Sequence, residues 1–103
     1  MKFRLSRLAQ ADLRDIGEYT LERWGLARRR AYLRAIDARF AALTRDPRLG
    51  RAREEVGPNL RSANIGSHVI FYRAADEGIE VLRILHGRMD AERHVAPDDE
   101  GAW

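Results

Sequence analysis

Two hydrophobic runs in the second half of the chain constrain its fold more than any other feature. Side chains of a strand alternate between its two faces. In His68-Val69-Ile70-Phe71-Tyr72-Arg73, Val69 and Phe71 therefore point one way while Ile70 and Tyr72 point the other. Over Ile79 to His86, Leu82 and Ile84 are expected to oppose Ile79, Val81 and Leu85. A half-buried antiparallel sheet keeps apolar residues inside and polar ones outside. These strands are apolar on both sides, so the fold must cover two faces of one sheet.

Two helices predicted upstream cover one face. Ser6 offers its hydroxyl to the unsatisfied amides of a first turn. After it, Ala9, Leu13, Ile16, Thr20 and Trp24 recur at spacings of four, three, four and four, which places them on one helical face. Gly25 ends that helix. A second helix over Leu26 to Arg45 turns the bulky stripe Tyr32, Ile36, Phe40 and Leu43 toward the core. Ala27, Ala31, Ala35, Ala38 and Ala42 form a separate stripe of small residues, and Gly17 borders the buried face of the first helix. Small residues let backbones approach, so the spacing predicts a tight antiparallel hairpin with the alanines at its seam.

Asp46-Pro47 and Gly50 close the second helix, and Thr44 to Pro58 reads as a connecting loop. Strands are predicted over Leu60 to Ile65, His68 to Arg73 and Ile79 to His86, with turns at Gly66-Ser67 and Asp76-Glu77-Gly78. Phe3 and Leu5, alternating with Lys2 and Arg4, suggest a short first strand. The order β-α-α-β-β-β implies an α+β domain, an antiparallel sheet packed against an N-terminal helical hairpin. The 103 residues suit one domain, read as 1–95 with an acidic tail at 96–103. With no cysteine, disulfide frameworks, thiol catalysis and sulfur-based zinc sites are excluded. No run reaches the roughly 20 apolar residues of a membrane span. Met1-Lys2-Phe3-Arg4-Leu5 is too charged to open a signal peptide, so a cytoplasmic protein with no membrane partner is expected.

Two helices leave one sheet face bare. Ala91 to Trp103 holds few large apolar residues beyond Val95 and Trp103, so a partner polypeptide is expected to cover that face. Charge suggests its character. The net charge is +3, and Arg28 to Arg53 contains nine arginines against Asp37 and Asp46. Such a block meets phosphates or an acidic protein.

Catalytic signatures are sparse. His68, His86, Asp90 and His94 form no recognised metal-ligand spacing, no glycine-rich loop follows a strand, and no nucleophile elbow is present. No metal or cofactor is expected. RNA cleavage remains a chemical option, because Arg61, Arg73, Arg83, Arg88 and His86 come from neighbouring strands or their ends. Arginine stays protonated, which leaves His86, His68 and Tyr72 to move protons.

The motifs, taken in order, resemble a known family. Leu5-Ser6, Ala11-Asp12-Leu13, Ile16, Tyr19 and Trp24-Gly25 are followed by Leu60-Arg61-Ser62 and by Gly66-Ser67-His68-Val69-Ile70-Phe71-Tyr72-Arg73. Arg83-Ile84-Leu85-His86-Gly87-Arg88-Met89-Asp90 and His94 complete the set. Together they are similar to the ParE toxins of the RelE/ParE superfamily, from Lys2 to about Val95. The resemblance implies the toxin half of a type II toxin–antitoxin pair, a non-enzymatic inhibitor of DNA gyrase that halts replication. The alternative it carries is a ribosome-dependent mRNA endoribonuclease of RelE type. RelE-type nucleases have a lysine- and arginine-rich catalytic face and commonly a late tyrosine. This chain has no lysine after Lys2 and no tyrosine after Tyr72.

The resemblance also implies a hetero-oligomer with a ParD-like antitoxin, which binds DNA through a ribbon-helix-helix portion and wraps the toxin with an acidic amphipathic segment. That segment is expected on Arg28, Arg34 and Arg39 of the second helix and on Ile70, Tyr72 and Arg83 of the sheet. Toxicity, through contact with gyrase, is assigned to His86, Arg88, Met89, Asp90 and Arg93.

Overall fold

The computed structural model describes residues 2–87 together with Met89, Ala91 and Val95. Strand β1 (Lys2–Leu5) leads into helix α1 (Arg7–Trp24), which Gly25 separates from helix α2 (Leu26–Arg45). Ser6 caps α1 as expected: its Oγ accepts the Ala9 N–H at 3.0 Å. Gly25 adopts a φ of 92°, a conformation that glycine enters without penalty. A 3-10 turn (Pro47–Leu49) precedes β2 (Arg51–Ala52), β3 (Arg61–Ile65), β4 (His68–Ala75) and β5 (Gly78–His86).

The strands form one five-stranded sheet in the order β1-β5-β4-β3-β2. This corrects the purely antiparallel sheet in one respect. β1 runs parallel to β5, with Lys2 opposite Gly78 and Leu5 opposite Val81. Both helices and three strands intervene before β5, a crossover long enough to bring the chain back in the same direction. The second addition is β2, which forms inside the predicted loop by pairing Arg51 with Ser62 and Ala52 with Arg61.

One face of the sheet packs beneath the helices. Ile16, Ile36, Phe40 and Leu43 meet Ala63, Ile70, Tyr72, Ile79, Val81 and Ile84. Each large side chain so buried contributes roughly 1.5–3 kcal/mol. The alanine stripe does not form the helical seam, since Ala27, Ala31 and Ala38 are exposed. The helices meet instead at Gly17, where a Cβ would lie 3.4 Å from Arg29 Nε and 3.6 Å from Leu33 Cδ1. The bulky stripe fixes the rotation of α2, and the alanines serve helix propensity. Trp24, expected on the buried face of α1, is 58% exposed.

The opposite face is covered from within the chain, contrary to the expectation of a partner there. Val56, Leu60 and Val95 pack over Phe71, Leu82 and Leu85, with Val69 and Ala91 alongside. The connecting loop folds back on itself through Arg53 N–H to Leu60 O and Val56 N–H to Arg53 O. Arg53 lays its guanidinium 5.4 Å above the Phe71 ring. The loop read as punctuation thus supplies Val56 to a second small core, and Leu60, predicted to open the first strand of the meander, joins it from just ahead of β3.

A bulge changes which residues of β5 face which side. Phe71 pairs with Arg83, whereas the next residue, Tyr72, pairs with Val81, so Leu82 is extra. Strict alternation would put Leu82 and Ile84 together. The bulge puts Ile84 with Ile79 and Val81 under the helices and leaves Leu82 with Leu85 on the other face.

Ile70 and Tyr72, expected on the partner-binding face, are both 0% exposed and lie in the core beneath the helices. Tyr72 is a structural tie. Its hydroxyl donates to Pro47 O at 2.7 Å and accepts the Gly50 N–H at 2.8 Å. Any side chain at Gly50 would collide with that hydroxyl. The sheet residues that carry the apolar pattern are therefore unavailable to a second polypeptide.

Candidate functional site

β1 stops at Leu5, and that early stop makes the site. Ser6 N–H donates to Val81 O at 3.0 Å and Ser6 Oγ–H to Leu82 O at 2.6 Å. The chain then turns into α1, and the last residues of β5 are left without a β1 neighbour. Asp12, one and a half turns into α1, takes that position. Its carboxylate accepts the Ile84 N–H at 2.9 Å and holds Arg83 by two hydrogen bonds of 2.9 and 3.0 Å. Both side chains are largely buried. Such a forked pair is strong because both partners are charged and their geometries match.

Between α1 and this end of the sheet lies a groove of about 710 Å3. Asp12, Asp15, Tyr19 and Trp24 line it from α1, Arg28 and Tyr32 from α2, and His68, Arg83, His86 and Met89 from the far side. Positions 12, 15 and 19 recur at the helical spacing, one step round from the buried ridge of Ala9, Leu13 and Ile16. Tyr19 is 62% exposed, and Trp24 carries the guanidinium of Arg28 at 5.4 Å and that of Arg23 at 5.8 Å from its ring centre. The groove thus pairs apolar and aromatic surface with charge, as partner-binding surfaces do.

Its floor is a hydrogen-bonded cluster at the β3–β4 turn. Tyr32 Oη donates to Ile65 O at 2.9 Å and lies 2.7 Å from His68 Nδ1. A hydroxyl has one proton, so the second bond runs from His68 Nδ1–H to Tyr32 Oη. The turn is shaped around this hydroxyl. Gly66 has a φ of 55°, and a Cβ there would lie 2.6 Å from Tyr32 Oη. Burial pushes the Tyr32 phenol above its ordinary value, only partly offset by a backbone hydrogen bond from Ser67. His68 stands opposite His86 across β4 and β5, the rings edge to face at 5.7 Å. Burial holds the His68 imidazole below its ordinary value. Positive charge on His86 adds to the shift, and Asp12 opposes it.

The structure redistributes the residues assigned from sequence. Arg28 and Arg83, expected to hold the antitoxin, line the same groove as His86 and Met89, expected to contact the target. Arg39 lies on the Arg28 side of α2, about 20° round at about 100° per residue. Its Nε donates to Asn64 O at 3.3 Å, away from the groove. Arg34 lies about 120° from Arg28 and is exposed on another side of the helix. The three arginines therefore do not make one surface. Arg88, Asp90 and Arg93 lie outside the described residues. Sequence reasoning overlooked Asp12, Asp15 and Tyr32 as groove residues, although the three-and-four spacing of Asp12, Asp15 and Tyr19 was there to find.

Comparison with known proteins agrees with this architecture. Residues 3–91 match the family model described as ParE toxin of type II toxin-antitoxin system, parDE. Toxin ParE1 of Mycobacterium tuberculosis is 41% identical over 95 residues, covering 91% of this chain and 97% of that protein. Among solved structures, the chromosomal ParDE system from P. aeruginosa superposes with a TM-score of 0.71 at 22% identity, over 84% of this chain and 95% of that one. The toxin-antitoxin complex RelBE2 from Mycobacterium tuberculosis gives 0.57 at 26% identity, over 82% of this chain and 95% of that one. With a family model spanning most of its length and a close relative along nearly all of it, this chain belongs to the ParE toxin family of type II toxin–antitoxin systems.

Proposed function

We propose that this toxin arrests growth by binding DNA gyrase and that a ParD-like antitoxin neutralises it by occupying the groove between α1 and the end of β5. The observation that carries the reading is the convergence, in one groove, of Arg28 and Arg83 with His86 and Met89. An amphipathic segment placed there would bury the exposed faces of Tyr19, Trp24 and Met89, and its acidic residues would meet Arg28. Antitoxin and target would then compete for the same residues, which gives neutralisation a direct physical basis.

The engagement of the candidate RNA-cleaving residues supports an inhibitor over a nuclease. Tyr72 is buried with both hydrogen-bonding capacities of its hydroxyl filled. Arg61 donates to Gly50 O, Arg73 faces Glu80 at 3.9 Å, and Arg83 is held by Asp12. Each of these three cations already has a partner within the fold.

Two assays, one on the purified chain and one in cells, test the proposal. A gyrase supercoiling reaction is expected to slow as toxin is added, with cleaved DNA accumulating. Primer extension on RNA from cells expressing the toxin is expected to show no new ends. New mRNA ends with normal supercoiling would replace the gyrase reading with the endoribonuclease one.

A further inference from the structure

We propose that the His68–His86 pair is a proton-linked anchor for a carboxylate of the antitoxin segment, so that complex formation takes up a proton; this rests on the groove being the docking site. The argument starts from the charges around the pair. From α1 come Asp12 and Asp15, from α2 Arg28 and the neutral phenol of Tyr32, and from β5 Arg83 beside His86. Asp12 is tied to Arg83, and Asp15 balances Arg28 across the groove, so the formal charges of the described lining cancel. An acidic segment that meets Arg28 with one carboxylate therefore finds no further positive charge there for a second. Among the described lining residues the two histidines alone can supply one near neutral pH, by protonation.

The hydrogen bonding of the cluster prepares His68 for that role. Nδ1–H is committed to the Tyr32 hydroxyl, whose own proton goes to Ile65 O. The lone pair of the neutral ring is then on Nε2, and a proton added there needs no tautomer change. With the rings 5.7 Å apart, charge on one imidazole disfavours charge on the other. In the free protein burial keeps His68 neutral, whereas a carboxylate alongside favours the imidazolium. The occupant is an acidic segment, as the net charge of +3 and the run of arginines on α2 favour.

Calorimetric titration of the full chain with its purified antitoxin tests this. Repeating the titration in buffers of different ionisation enthalpy counts the protons exchanged. The expected result is proton uptake averaging about half a proton per complex between pH 6 and pH 8, which corresponds to a Kd about tenfold lower near pH 6 than near pH 8. The His68→Asn, His86→Asn double variant keeps an amide donor for Tyr32 but cannot be protonated, and its Kd is expected to be flat over that range. A wild-type Kd independent of pH, a release of protons, or an undiminished pH dependence in the double variant would overturn the anchor while leaving the docking site in place. Absence of a complex at either pH would remove the docking site itself.

Discussion

Asp12 on the first helix and Arg83 on the last strand are joined by two hydrogen bonds of 2.9 and 3.0 Å, and the same carboxylate accepts the Ile84 N–H. One side chain therefore closes the sheet edge that β1 leaves uncovered and neutralises a largely buried arginine. Asp12→Ala would leave the Ile84 N–H without its acceptor and would remove the carboxylate that balances Arg83. The expected loss is about 3 kcal/mol, read as a lower urea midpoint with unchanged slope. A change within about 0.5 kcal/mol would show that the pair is screened by solvent.

Tyr72 separates core from surface. Tyr72→Phe removes the partner of both Pro47 O and the Gly50 N–H while keeping the ring in its place. A loss of about 2 kcal/mol is expected from the unsatisfied groups. Antitoxin affinity, measured under conditions where the variant is folded, should stay at the wild-type value. Weakened binding by a fully folded variant would return Tyr72 to the interface.

The pH dependence of stability in the free toxin follows from His68. An unfolded imidazole titrates near 6.5, whereas burial holds the folded one lower. Between those values the unfolded chain binds the proton that the folded chain refuses, so stability rises with pH there. The contribution is complete above about pH 6.5 and is lost as the pH falls through the folded value. Urea unfolding at a series of pH values checks this, with His68→Asn expected to flatten the slope around pH 6. An identical slope in that variant would assign the effect to other groups.

What could be read from the sequence was local. Ser6 and Gly25 mark the ends of α1 through their own chemistry, and Gly66 marks a turn that demands positive φ. The stripe of Ile36, Phe40 and Leu43 faces the core because period and bulk agree. Nonlocal features were not legible. The bulge at Leu82 reverses the facing of Ile84, and the parallel pairing of β1 is decided by where the chain returns. Val56 covers a sheet face from a loop whose prolines and glycines gave no sign of it, joined by Leu60 from just ahead of β3. The candidate site suffered accordingly. Ile70 and Tyr72 carried the strongest apolar pattern because they belong to the core, while Arg28, Arg83, His86 and Met89 meet only through the tertiary fold.

The most direct test of the groove as docking site is the Kd of the antitoxin for a toxin carrying Trp24→Ala and Arg28→Glu. Both side chains are exposed and contact each other, so the urea midpoint should remain close to that of the wild type. Affinity is expected to fall at least about tenfold, equivalent to about 1.4 kcal/mol, while Arg34→Glu on another side of α2 leaves it unchanged. An unaltered Kd in the groove variant, or an equal loss in Arg34→Glu, would contradict docking at the groove.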